Sequence, residues 1–182
     1  MNIGIDYSIT SPAICAFHNN QYHFFAFRQK KKQKATTTNV HLLEYPLYST
    51  PQQRYDLLAT LLLTSLEKTL VAPSKAFIEN YAYAGNGVVF NIAECTSIIK
   101  HKLYNMNVPI TCIEPTVVKK LGCGKGNAKK RDMMNAFKDE LGDPYPWFDL
   151  VDDGSEKIPS PLSDCVDAYF VLKSGLLQEN HK

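Results

Sequence analysis

At 182 residues and 45% apolar content, the chain is long enough to bury one sizeable core and leaves little room for another, so a single domain over 1–182 is expected. Its formal net charge of +2 is too small to argue for or against a polyanionic partner, which leaves that question to local patches. No stretch reaches membrane-spanning length, Met1-Asn2-Ile3-Gly4-Ile5-Asp6 lacks the basic start and apolar run of a secretion signal, and Cys15, Cys95, Cys112, Cys123 and Cys165 form no C-x-x-C pair; the expectation is a soluble intracellular protein with reduced thiols, neither zinc ribbon nor disulfide scaffold.

Asn2 to Asp6 reads as a short apolar strand ending in an acid. Two more follow, Ala13 to Phe17 and Tyr22 to Phe27, separated by the hairpin signal Asn19-Asn20. Arg28 to Lys34 holds five cations in seven residues and, with Thr36-Thr37-Thr38, lacks periodicity; it is expected to be a solvated loop, either a solubilising tip or a grip on nucleic acid. From Pro51 to about Val71, Tyr55, Leu58, Leu62, Leu66 and Leu70 keep helical spacing behind Ser49-Thr50. Lys75 to Glu79 is a strand, and Val89, Ile92, Thr96, Ile99 and Leu103 mark a helix after Gly85-Asn86-Gly87. Pro109 to Glu114 is the fifth strand. Helices over Thr116 to Leu121 and from about Asn127 to Leu141 flank the turn Gly122 to Gly126, proline-rich Asp143 to Pro161 reads as loop, and a last helix spans about Ser163 to Leu177. Three opening strands followed by alternating helices and strands describe an α/β domain with a mixed five-stranded sheet flanked by helices, the order of the ribonuclease H-like fold.

Asp6 and Glu79 each end a buried strand, where an acid is costly unless it faces a site. If their strands are adjacent, the two acids meet at the carboxyl ends, where ligands collect in open α/β sheets. Asp164 and Asp167 stand at i and i+3 in the last helix, roughly 5–6 Å apart at Cβ on one face. Each acid alone has a plainer reading, as a turn residue, a strand-end surface acid or a first-turn helix acid. Four converging carboxylates would repel, and bound Mg²⁺ offsets such repulsion; two ions about 3.5–4 Å apart activate water and stabilise the leaving oxygen of a phosphodiester. The metal set is therefore Asp6, Glu79, Asp164 and Asp167, with Mn²⁺ a possible substitute. The five histidines show no ligand spacing.

Ile3-Gly4-Ile5-Asp6-Tyr7-Ser8, Phe77-Ile78-Glu79-Asn80-Tyr81, the segment Glu114 to Met133, and Leu162-Ser163-Asp164-Cys165-Val166-Asp167-Ala168 together resemble the RuvC-type Holliday junction resolvases, in the family's order and over most of the chain. The closing D-x-x-D followed by alanine is the most specific piece. The resemblance implies metal-dependent hydrolysis that nicks two strands symmetrically at a four-way DNA junction, in a bacterial or phage-infected cell. It also implies a homodimer, because a two-fold junction calls for two active sites. Tyr7 and Ser8, the long Arg28–Thr38 loop and the Asp143–Pro161 segment depart from the family pattern and point to a phage or viral-type branch.

Thr116 to Arg131 combines six cations with a glycine-rich turn, a phosphate-binding composition whose alternative is a solvated basic helix face. Aligned on Gly124-x-Gly126, Lys119 and Lys130 match the family's functional lysines, which implies a catalytic role beside the scissile phosphate. Lys120, Lys125, Lys129 and Arg131 are candidates for the DNA backbone. Tyr81, or less well Tyr83, is placed to stack on or open bases at the junction centre, with a buried tyrosine as the alternative. Competing functions keep the fold but change the substrate to flaps, forks or RNA–DNA hybrids, or retain DNA binding without catalysis. The ATP-binding sugar-kinase and actin superfamily needs a second half-domain that 182 residues do not supply, so no nucleotide cofactor is expected.

Overall fold

The computed structural model describes residues 1–30, 33–80 and 88–180. Its element order is β1 (Asn2–Asp6), β2 (Ala13–His18), β3 (Gln21–Phe27), β4 (Val40–Leu43), α1 (Pro51–Thr69), β5 (Lys75–Glu79), α2 (Val88–Asn105), β6 (Ile110–Ile113), α3 (Pro115–Cys123), α4 (Lys130–Leu141), a 3-10 turn (Tyr145–Phe148) and α5 (Leu162–Asn180). The strands form one sheet in the order β4-β3-β2-β1-β5-β6. β1, β2 and β3 run antiparallel in sequence, whereas β5 and β6 extend the sheet in parallel from β1. The sheet is thus mixed as expected but has six strands instead of five. The extra one, β4, lies parallel to β3 at the edge, pairing Phe24 to Phe27 with Val40 to Leu43.

Local signals account for the elements. Asn19 and Asn20 adopt φ of 49° and 60°, the left-handed pair that matches a two-residue hairpin to strand twist. Thr50 caps α1 by accepting the Gln53 amide at 3.2 Å, with Pro51 in the first turn. Gly124, at φ 77°, ends α3 with its amide on the Lys120 carbonyl at 2.8 Å. The Asp132 carboxylate accepts the Lys129 amide at 2.9 Å, which sets the start of α4 at Lys130, later than the spacing of apolar residues suggests. No described helix is long and apolar enough to cross a membrane.

Strand alternation sends two sets of side chains to opposite faces. Ile3, Ile5, Ile14, Phe25, Phe27, Ala76 and Ile78 face α1 and α2 and pack on Tyr55, Leu58, Leu62, Cys95, Ile99 and Leu103. Ala13, Cys15, Phe24, Ala26 and Phe77 face the other way, against Val118 of α3, Met133, Met134 and Phe137 of α4, and most of α5. The Asp143–Pro161 segment, expected to be loop, contributes to this second core through the 3-10 turn, which buries Tyr145 and Phe148. It is fastened at two points. Thr36 donates from Oγ1 to the Pro146 carbonyl at 2.6 Å, and Asp152 accepts both Arg131 Nη1 at 2.9 Å and Lys138 Nζ at 2.7 Å. Those bonds, Lys138's first, hold the Asp152 carboxyl well below the usual carboxylate range.

Two glycines let α5 lie directly on the sheet. A Cβ at Gly4 of β1 would stand 2.4 Å from both the Ala168 carbonyl and the Leu172 amide, and one at Gly175 of α5 would stand 2.1 Å from the Phe77 ring. Asp167 acts on Asp6 at the end of β1, Ala168 and Leu172 lie over Gly4, and Glu179 pairs with Lys75 at the start of β5, so α5 runs antiparallel to β1 and β5. Its N-terminal turn therefore arrives at the carboxyl ends of those strands.

Candidate active site

The register of β1 on β5 aligns Ile5 with Ile78, and continuing it by one residue sets Asp6 beside Glu79. Both acids share the face of Gly4 and Phe77, the face on which α5 packs. Alternation alone thus aims the two strand-end carboxylates at the start of α5. Asp6, Glu79 and Asp167 line one cavity of about 1110 Å³ together with Lys119 of α3, Lys129 and Lys130.

Asp164 is placed differently from its partner in the D-x-x-D pair. The turn from Pro161 to Cys165 is buried, and Asp164, 8% exposed, does not line the cavity. Its Oδ2 is buried with no hydrogen-bond partner among the described residues, while Oδ1 is 3.4 Å from the Ser163 hydroxyl. Its charge still acts on Asp6, Asp167 and Lys130.

Burial and mutual repulsion govern the acids. Burial, then Asp167, Glu79 and Asp164, push the Asp6 carboxyl well above its ordinary value. Glu79 is lifted to about 7 by burial and Asp167, against the pull of Lys130 and Lys119. Asp167 is also raised by burial, and Lys130, whose ammonium contacts Asp167 Oδ2, opposes the rise. Lys130 in turn is raised: burial pulls it down, but Asp167, Asp6 and Asp164 outweigh that.

Such a cluster costs the metal-free fold stability in a defined pH range. An acid with a folded-state pKa near 7 and an unfolded one near 4.5 contributes no penalty at low pH, a growing one as pH rises from about 4.5 to about 7, and a constant one above. The melting temperature of the metal-free protein is expected to fall between about pH 5 and pH 8, and Glu79→Gln to flatten that slope. Equal slopes in thermal melts of the two proteins would separate Glu79 from the cluster.

The structure also shows what residue reading missed. Tyr7, Ser8, Ile9 and Thr10, directly after Asp6, form a cavity wall, and Asn80, directly after Glu79, forms part of another. The Ser8 hydroxyl accepts the Ser11 amide at 2.9 Å, and Gln29 Nε2 donates to Ser11 Oγ at 3.1 Å and to Tyr45 Oη at 2.9 Å. Asn80 Nδ2 donates to Glu114 at 2.8 Å. Adjacency to the strand-end acids was the available signal. Val89, Ile92 and Thr96 of α2 add a largely apolar side.

The other expected DNA contacts divide. Lys120 and Lys125 are exposed, and Lys125 lies 3.4 Å from Asp132. Arg131, expected on DNA, is instead directed onto the chain itself: its side chain is 14% exposed, its Nη1 meets Asp152 and its Nε donates to the Ser155 carbonyl at 2.9 Å. Removing it from those partners would leave a half-buried carboxylate without its main fork-shaped donor. Tyr81 and Tyr83 lie outside the described residues.

Among the described residues, no three His, Cys, Asp or Glu side chains stand close enough to enclose a metal ion in this arrangement. The donor chemistry nevertheless fits a hard divalent cation. The four acids offer oxygen donors, they repel one another, and one of those oxygens, Asp164 Oδ2, is buried without a hydrogen-bond partner among the described residues.

No family model matches the sequence, and no curated protein matches it either. Solved structures do. The Thermus thermophilus RuvC structure superposes with a TM-score of 0.61 at 16% identity, covering 98% of this chain and 96% of that one. T. thermophilus RuvC in complex with a Holliday junction substrate gives a TM-score of 0.61 at 13% identity, over 97% and 94% of the two chains. The chain has the RuvC-like, ribonuclease H-like fold.

Proposed function

We propose that this RuvC-like chain is a metal-dependent, structure-selective DNA endonuclease that resolves four-way junctions by paired symmetric nicks. One observation carries the reading: carboxylates from the ends of two neighbouring parallel strands and from α5 converge in a single cavity beside Lys119 and Lys130. The junction itself is suggested by the junction-bound T. thermophilus neighbour.

In this reading Asp6, Glu79, Asp164 and Asp167 hold Mg²⁺, or Mn²⁺ in its place. The bound ions supply Lewis-acid stabilisation of the phosphoryl charge and a water acidic enough to attack at neutral pH. Two ions per site suit four carboxylates, which carry more negative charge than one divalent ion balances. Lys119 and Lys130 reach the non-bridging oxygens of the scissile phosphate, where developing charge is greatest. Lys129, Lys120 and Lys125 extend the cationic surface along the backbone, an electrostatic contact without sequence preference. The apolar side made by Val89 and Ile92 excludes water from part of the cleft, which strengthens every charge interaction within it. A homodimer presents two such sites to the two equivalent strands of a junction.

The test is nicking of a synthetic mobile four-way junction with Mg²⁺ in parallel with a three-way flap, a replication fork, an RNA–DNA hybrid and linear duplex. Symmetric nicks in opposing strands of the four-way junction, at a rate at least tenfold above the other substrates, are expected. Preferred cutting of the flap or hybrid moves the assignment to those substrates. Binding without cutting under any divalent ion reduces the protein to a DNA-binding module.

A further inference from the structure

Lys130 is an unusual residue for the place it occupies. It is the first residue of α4, where the helix dipole disfavours a cation. Its ammonium nonetheless points at the carboxylate cluster, contacting Asp167 Oδ2 and lying within the field of Asp6 and Asp164. Asp167 is the one D-x-x-D carboxylate that lines the cavity, so the lysine engages one of the two oxygens that α5 could offer a metal ion there. In this arrangement no three acidic side chains enclose a metal among the described residues.

An ammonium and a divalent ion compete for one carboxylate, because their like charges would meet there with little water between them. Lys130 also has somewhere to go. Its side chain is 52% exposed while that of Asp167 is 16% exposed, and Lys119 and Lys129 line the same cavity, making a cationic side toward which a polyanion would draw it. A lysine is suited to this exchange because its flexible stem carries a point charge without the fixed bidentate geometry of arginine.

We propose that Lys130 is a built-in counter-ion, which neutralises Asp167 in the metal-free protein and is displaced by the incoming divalent cation, freeing its ammonium for a phosphate oxygen. The proposal deepens the nuclease reading and rests on it for the destination of the lysine, whereas the exchange itself depends only on the cluster. Metal entry and arming of the phosphate contact are then one event. The metal-free protein keeps its cluster partly balanced, and the ammonium, already at the cavity wall, is released to a phosphate only when the cation that completes the site is bound.

Two measurements with Mn²⁺ alone, in the absence of DNA, test the exchange. In calorimetric titrations Lys130→Met is expected to bind Mn²⁺ at least fivefold more tightly than wild type, since no internal cation competes. Removing any nearby positive charge raises affinity to some degree, so the second measurement uses the wild-type protein. Trace acetylation read by mass spectrometry, with exposed Lys68 of α1 as reference, is expected to label Lys130 at least threefold faster at saturating Mn²⁺. Unchanged or slower labelling means that the lysine stays on Asp167 and overturns the proposal, as does equal or weaker Mn²⁺ binding by Lys130→Met. Loss of junction nicking with the exchange intact would instead count against the nuclease reading. Absence of Mn²⁺ binding by the wild-type protein overturns both.

Discussion

Asp6→Asn is expected to lower the single-turnover rate of junction nicking at saturating Mg²⁺ by at least about three orders of magnitude, equivalent to roughly 4 kcal/mol of transition-state stabilisation. Asp6 ends the central parallel strand, and Asp167, Glu79 and Asp164 all act on it, so it has the most shared position in the cluster. The amide keeps the shape but removes the charge and one strong oxygen donor, which weakens cation binding and orientation together. The same change should stabilise the metal-free fold, because it relieves a buried like-charge cluster. A gain of about 1 kcal/mol corresponds to about 2–4 °C for a chain of this size. Loss of nicking with a higher melting temperature distinguishes removal of a functional group from general damage. An Asp6→Asn protein that cuts at the wild-type rate removes the cluster from the chemistry.

The other large effect is structural and lies in β1, two residues before Asp6. Gly4→Ala should cost well over 4 kcal/mol, seen as a fall in denaturation midpoint or as insoluble protein, and should abolish nicking in whatever folds. Its Cβ would meet backbone atoms of α5, the Ala168 carbonyl and the Leu172 amide, both at 2.4 Å, and backbone cannot step aside as a side-chain tip can. Relief requires α5 to lift from β1. That helix carries Asp164 and Asp167, so even a displacement of about 1 Å loosens the site beyond what catalysis tolerates. Gly126→Ala is the mild control, since its Cβ would approach the Thr116 carbonyl only to 3.2 Å. Similar destabilisation by the two substitutions would show that close contact between α5 and β1 is not what sets the site.

Much of the architecture was legible because its signals are local. The alternation in β1 and β5, the Asn19-Asn20 turn and the Thr50 cap each depend on a few neighbouring residues, and each appears where the residues suggest. β4 was not legible. It is a four-residue edge strand joined in parallel to β3 across an intervening loop, and so short a run carries no periodic signature. The role of Asp143 to Pro161 was hidden for a related reason: proline-rich composition reads as loop, yet Tyr145 and Phe148 find burial in the core shared with α4, α5 and β3 once the chain has folded. Arg131 shows the same limit, since a basic residue in a basic segment does not announce that Asp152 waits about twenty residues on.

The sequence by itself determined which residue types end the two central strands and open the last helix. Strand alternation and helical spacing follow from backbone geometry, so Asp6, Glu79 and the Asp164/Asp167 pair could be named as candidates from their positions taken together. Only the tertiary structure decided that β1 and β5 are neighbours in register, and that Gly4 and Gly175 bring α5 against them. It also decided that Asp167 enters the cavity while Asp164 is buried, and that Lys130 reaches Asp167. Those outcomes depend on contacts between residues far apart in the chain, and a carboxylate's partner, burial and charge state are set by what packs around it, whatever its immediate neighbours in sequence.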